Sequence, residues 1–376
     1  MEVALDTISQ PVGIRQTRDH LLFLDGFRGI AALYVVLHHA YLQAWPVNSN
    51  LDLVLPGHLA GLMHWLVYGR YAVTAFLTVS GFSLMIPVLR YGTLRNGTLG
   101  FYLGRARRIL PPYYVALLFA AAVVFVNAHF LHIGKPPSLR SIVTHGMLMQ
   151  NFFGEALTIN PPMWSIAVES QIYVLFPMFV FLWKKFGMAV VGVLSAALAL
   201  LVVFLFGHSK FPASYMAVSF PASYLLVFCC GMFASTEAAR PEAVRRLPMY
   251  RALLILCVVI LAVWIHLKGF RTPWGIDLIA GFGTACALIL ASLKDGFLRR
   301  ITSWKPFATV GAISYSMYLI HDPLQHLLAG SLSRAHLSPD AMFLLQALPM
   351  TAIILVISFW FYRLFERPFM ASKPKV

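Results

Sequence analysis

The sequence predicts an all-α integral membrane protein of about ten transmembrane helices with both termini in the cytoplasm. Three observations predict it. First, 59% of the 376 residues are hydrophobic and only 11% are charged, where a soluble domain carries about a quarter charged residues. Second, apolar runs recur along the whole chain, most of them about 18 residues or longer, the length of helix that crosses a hydrocarbon core about 30 Å thick. Third, the basic residues segregate between the loops those runs define. With the N-terminus inside, Arg70, Lys135, Arg140, Lys210, Lys268, Arg271 and Arg334 fall outside, and the remaining 22 of the 29 Lys and Arg fall inside. Such an excess marks cytoplasmic loops, so the net charge of +15 is read as topology and not as a nucleic-acid surface.

Met1 to His20 is polar and too poor in apolar residues for a secretory leader, so the first hydrophobic segment is expected to remain as a span. The spans are expected at Phe23 to Ala44, Tyr71 to Leu89, Leu110 to Phe130, Trp164 to Trp183, Met188 to Phe206, Tyr215 to Ala234, Ala252 to Leu267, Ile276 to Leu293, Phe307 to Leu328 and Ala341 to Leu364. In the longest connection, His129 to Met163, the stretch Ser138 to Asn151 reads as a short helix on the membrane surface or as a lid over a cavity. Cys229, Cys230, Cys257 and Cys286 all fall inside apolar runs without zinc-type spacing, so neither a disulfide nor a metal is expected. No repeat or linker divides the chain. Residues 1–22 are read as a cytoplasmic segment, 23–365 as one membrane domain and 366–376 as a cytoplasmic tail.

Ionisable side chains are costly inside a bilayer, so those within spans are the candidates for function. In the first span Arg28 and His39 are eleven positions apart, which brings them within about 20° of one helix face, about 16 Å apart along the axis. His38 points about 80° away from Arg28, and Asp25 stands where it can hold the guanidinium. This arrangement is a buried base above an anion-binding arginine, or a packing histidine above an arginine that reaches for the interface. In the fourth span Ser165, Glu169 and Tyr173 follow one stripe. Glu169 is expected in the same half of the membrane as His39, where it can pair with the imidazole, line a wet vestibule or pair with Arg70. In the ninth span Ser314, Tyr318 and His321 share a face that completes a cavity wall or bonds another helix. Arg105 and Arg108 are expected at the foot of the third span, where a pair of guanidinium forks suits the phosphates of a nucleotide-bearing donor or, equally, anionic lipid. Trp164 and Tyr173 can stack on a sugar ring.

Taken together, these residues are similar to those of the acyltransferase-3 family of membrane O-acyltransferases. The likeness rests on Leu24-Asp25-Gly26-Phe27-Arg28-Gly29-Ile30 followed by His39, and on Phe76-Leu77-Thr78-Val79-Ser80-Gly81-Phe82. It continues through Arg105-Ala106-Arg107-Arg108-Ile109, Trp164-Ser165 through Glu169 to Tyr173, Ser314 through His321, and Glu366-Arg367-Pro368-Phe369. The resemblance implies that Arg28 and His39 are the essential pair and that Arg105 and Arg108 handle the donor. It further implies a donor of acyl-CoA, usually acetyl-CoA, with no permanently bound cofactor, and an acceptor that is a polysaccharide, a lipid-linked sugar or a related molecule, in a bacterial inner membrane. Many relatives carry consecutive acidic residues where this chain has Glu169-Ser170, and often an aromatic where it has Asp322. Some relatives append a soluble hydrolase-like domain, which is not expected in a chain that stops at Val376. A transporter or flippase of a glycosylated or acylated lipid is the alternative, since polar stripes around a cavity fit it as well; such proteins often show internal repeats, and none is found.

Overall fold

The computed structural model describes residues 22–45, 58–206, 222–268, 274–292, 296–333 and 335–370. The N-terminal segment with Arg15 and Arg18, the start of the sixth expected span, and Lys210, Arg271, Lys294, Arg334, Lys373 and Lys375 lie outside the described residues. The described residues form helices and no strand. The principal ones are α1 (Leu22–Ala44), α2 (Arg70–Tyr91), α3 (Gly97–Phe130), the short α4 (Leu139–Gly146), α5 (Trp164–Phe186), α6 (Met188–Phe206) and α7 (Ala222–Ala238). They continue with α8 (Leu247–Lys268), α9 (Trp274–Ser292), α10 (Lys305–Ala312), α11 (Ser314–Ser331), α12 (Pro339–Leu345) and α13 (Thr351–Phe361). Among the described residues six stretches are long and apolar enough to cross a membrane: Arg70–Tyr91, Gly97–Phe130, Pro161–Phe186, Leu247–His266, Gly275–Ser292 and Pro339–Phe369. This is the make-up of a multi-pass membrane protein.

Helix α1 is not among those six. It carries Asp25, Arg28, His38 and His39, and it packs on α2, α10, α11 and the α12–α13 segment. A helix too polar for lipid therefore lies among other helices. Glycines let the backbones approach. A Cβ on Gly29 would stand 2.0 Å from the carbonyl oxygen of Phe307, and one on Gly311 would stand 1.7 Å from that of Asp25, so α1 and α10 touch along their main chains. The same reciprocity joins α2 and α7. A Cβ on Gly81 would meet the Phe228 carbonyl oxygen at 2.1 Å, and one on Gly231 would meet that of Thr78 at 1.9 Å. Buried Asp277 holds Arg70 in an ion pair that ties α2 to α9, with Tyr224 of α7 beside the guanidinium.

Three elements differ from the sequence reading. Helix α3 starts at Gly97, not near Leu110, and carries Pro111 and Pro112 in its interior. The expected span begins where the apolar run does, whereas the helix extends back through the charged segment; each proline removes a bond to the carbonyl four residues back, yet a helix of 34 residues tolerates the loss. Arg105 and Arg108 consequently lie about two and about three turns inside a helix and not at its foot. The ninth expected span is broken at Ile313 into α10 and α11, α10 following the close contact with α1. In the tenth, α12 and α13 are joined by a π-helical turn, Gln346–Met350, which contains Pro349, one of the usual ways a helix takes up a proline.

Helix α4 falls where a short surface helix is expected. The Ser138 side chain caps it by accepting from Ser141 N at 3.0 Å. Its Leu139, Ile142 and Val143 face outward while Ser141, Thr144 and His145 are buried, the orientation of a helix lying with its apolar side in lipid. The loop that follows is fastened to the bundle by Asn160, which donates to the Leu319 carbonyl at 2.9 Å.

Candidate active site

Helices α1, α2, α3, α5 and α11 enclose a cavity of about 280 Å3. The i, i+4, i+8 stripe of α5 lines it, as do Ser314 and Tyr318 of α11 and Arg28, Arg105 and Arg108. Tyr173 donates its one phenolic proton to Glu169, so Ser80, 2.6 Å from the same oxygen, donates to Tyr173. Ser165 Oγ lies 2.7 Å from Tyr318 Oη, and the phenol also donates to the Pro162 carbonyl at 3.1 Å. Trp164 does not reach the cavity. One residue before Ser165, and so about 100° round the helix, it is buried against the Tyr224 ring with centroids 5.4 Å apart.

The charges are lopsided. Three guanidinium groups face the cavity against the single carboxylate of Glu169. Arg28 donates to Asp25 at 3.0 Å and to Ser83 at 2.8 Å, which fixes its fork towards the cavity. The Arg105 guanidinium stands 5.8 Å over the Tyr173 ring and 5.9 Å over Phe101. Arg105 and Arg108 also line a second cavity of about 380 Å3, whose other walls include Thr93, Arg95 and Asn96 from the loop before α3 and Gly100 from its first turn. The two spaces meet at the arginine pair. A polar, positively charged cleft with apolar walls suits an elongated ligand that is anionic at its middle or end.

His39 lies beyond this cavity and does not line it. Its ring is 5.1 Å from that of His321 and 4.9 Å from that of His38. His321 is fully buried, and its ring in turn is 5.7 Å from that of Tyr318. The cavity wall and His39 are thus joined through two rings. His321 Nδ1 is 2.8 Å from the Tyr318 carbonyl and so carries the proton, leaving Nε2 buried with a free lone pair and without a partner among the described residues. His38 is held elsewhere, its Nδ1 2.7 Å from the Leu66 carbonyl. The carboxylate beside His39 is Asp322, whose Oδ1 lies 3.6 Å from His39 Nδ1. This corrects the expected pairing with Glu169, which is occupied by Tyr173 and stands among the arginines. The reason is tertiary: α11, not α5, presents a carboxylate to the outer part of α1. Arg70, the other partner considered for Glu169, is taken by Asp277.

Sequence reasoning gave no role of their own to Ser80, Ser83 and Tyr315, which line the cavity, or to His326, whose Nδ1 lies 3.2 Å from Asp322 Oδ2. The i, i+4 spacing of Asp322 and His326 was the available signal for the last.

Apolar helices around a cationic cleft, with imidazoles beyond its far end, make up a membrane-embedded protein whose cavity suits an anionic ligand. A family model described as an acyltransferase domain, acyltransferase-3, matches residues 21–363. The chain belongs to that family, whose members transfer acyl groups other than aminoacyl groups. Among its relatives, the Staphylococcus aureus (strain NCTC 8325) protein named O-acetyltransferase OatA is 24% identical over 380 residues, covering 92% of this chain and 56% of that one. The Listeria monocytogenes protein named peptidoglycan O-acetyltransferase OatA is 23% identical over 341 residues, covering 82% of this chain and 50% of that one. The Bacillus subtilis protein YrhL is 24% identical over 330 residues, covering 80% of this chain and 48% of that one. The chain spans about half the length of these relatives. No solved structure matches it.

Proposed function

We propose that the protein is a membrane O-acetyltransferase that moves an acetyl group from acetyl-CoA to a hydroxyl of a carbohydrate acceptor of the peptidoglycan kind. The observation that carries this reading is the excess of guanidinium groups in a cleft that ends two rings from His39. Coenzyme A brings phosphates and a long uncharged arm bearing the thioester; the phosphates would sit at Arg105, Arg108 and Arg28 and the arm would run towards Ser165 and Tyr318. Glu169, held by Tyr173, fixes the cavity side of α5 and balances part of the arginine charge. The acceptor hydroxyl would approach His39. Two routes use His39: it removes the hydroxyl proton as the ester forms, or it takes the acyl group as a transient acyl-imidazole.

In this reading residues 23–365 form a ten-span domain with residues 1–22 and 366–376 in the cytoplasm, so donor and acceptor meet from opposite sides. The test is transfer of label from acetyl-CoA by purified protein in detergent, with peptidoglycan fragments as acceptor. A base-labile labelled ester is expected. Movement of a lipid-linked sugar across vesicles without ester formation would establish the transporter instead. For topology, cysteines placed at Arg95 and Gly134 are expected to react from the cytoplasmic and outer side respectively, and labelling of position 95 from outside would overturn the orientation.

A further inference from the structure

We infer that Asp322 positions His39 for reaction and that His326 completes the arrangement by holding the second oxygen of the same carboxylate. The inference rests on the reading of His39 as the reacting imidazole.

Asp322 is only 2% exposed. Burying a carboxylate costs several kcal/mol unless it is paired, and such a group within a membrane bundle is functional by default. Among the described residues no Lys or Arg pairs with it. Its ion-pair partners are two imidazoles, one on each oxygen: His39 Nδ1 at 3.6 Å from Oδ1 and His326 Nδ1 at 3.2 Å from Oδ2. The arrangement spans two helices, His39 on α1 and both Asp322 and His326 on α11. His326 Nδ1 is also 3.0 Å from the Asp322 carbonyl, an acceptor like the carboxylate, so this nitrogen carries the proton. The remaining titratable neighbours of His39 are the imidazoles of His38 and His321.

A carboxylate at Nδ1 selects the tautomer with the proton on that nitrogen and leaves the Nε2 lone pair for the substrate. The gap of 3.6 Å is longer than a hydrogen bond, as is common before substrate binds, and it shortens as imidazolium charge develops. The step balances without any further reagent. As the hydroxyl oxygen bonds to the acyl carbon and the carbon–sulfur bond breaks, Nε2 takes the hydroxyl proton and passes it to the departing thiolate, giving ester and free thiol. Asp322 stays ionised throughout and offsets the transient positive charge.

The test is steady-state kinetics of Asp322→Asn and Asp322→Glu on purified protein of matched melting temperature. Asp322→Asn is expected to lower kcat by about 10²–10⁴-fold with donor KM unchanged, as loss of the orienting carboxylate does in a Ser-His-Asp site, and Asp322→Glu is expected to recover part of the rate. An Asn variant with normal kcat, or one defective only in KM, overturns the inference. Should Asp322→Asn fail to fold, His326→Ala carries the test from a half-exposed position. A kcat loss of about 10-fold or more at unchanged KM supports the arrangement, and an unchanged kcat overturns it. The two readings fail separately. Activity surviving in His39→Ala removes the role of His39, whereas an inactive His39→Ala beside a normal Asp322→Asn removes the role of Asp322 alone.

Discussion

Replacing His39 with alanine is expected to reduce acyl transfer by about 10²–10⁴-fold, the usual contribution of a general base, or to abolish it if the imidazole is itself acylated. Folding should survive, because the ring is neither in the core nor a bridge between backbones; its polar partner is the Asp322 side chain. His38→Ala supplies the control. The neighbouring imidazole spends its Nδ1 on the Leu66 carbonyl and points about 80° away from Arg28, so its removal should leave activity within about a factor of ten, corresponding to the roughly 1 kcal/mol of one neutral hydrogen bond. Transfer from labelled acetyl-CoA, measured on equal amounts of detergent-purified protein, separates the two variants. Equal losses would refute the assignment of the reactive face.

The double substitution Arg105→Ala with Arg108→Ala should raise the donor KM by about 10- to 100-fold and leave the acceptor KM in place. One charge-assisted contact to a phosphate is worth about 1.5–3 kcal/mol, and about 1.4 kcal/mol is tenfold in binding. Lysines at both positions should restore part of the affinity, keeping charge and losing the fork. Both arginines face two adjoining cavities, whereas arginines serving only orientation in the membrane need not face either. A double variant that inserts poorly but shows a normal donor KM in the inserted fraction would assign the pair to topology.

Six of the expected spans were legible because the bilayer asks one thing of a span, an apolar run of sufficient length. The polar stripes were legible for a related reason: Ser165, Glu169 and Tyr173, like Ser314 and Tyr318, recur with the helix period and do face one cavity. What periodicity cannot supply is which stripe meets which. His39 was matched with Glu169 by depth alone, and the bundle instead brings α11 and Asp322 to it. Trp164 shows the same limit, since an aromatic at a span end serves a sugar or a neighbouring Tyr224 equally well until α7 is in place. The start of α3 was missed because the apolar run begins only at Leu110, whereas the helix begins in the polar segment before it.

Tyr318 closes the cavity on the side of His39. Its hydroxyl is committed to Ser165 and the Pro162 carbonyl, and its ring is packed between Phe76 and His321. A thioester resting in the cleft, as proposed, therefore has a phenol and not an imidazole as its nearest neighbour on that side. Water is as competent a nucleophile as a sugar hydroxyl, so a base left in open contact with the donor would squander it by hydrolysis between turnovers. Keeping the two apart until the ring shifts would hold that idle consumption low, and would couple use of the donor to arrival of an acceptor.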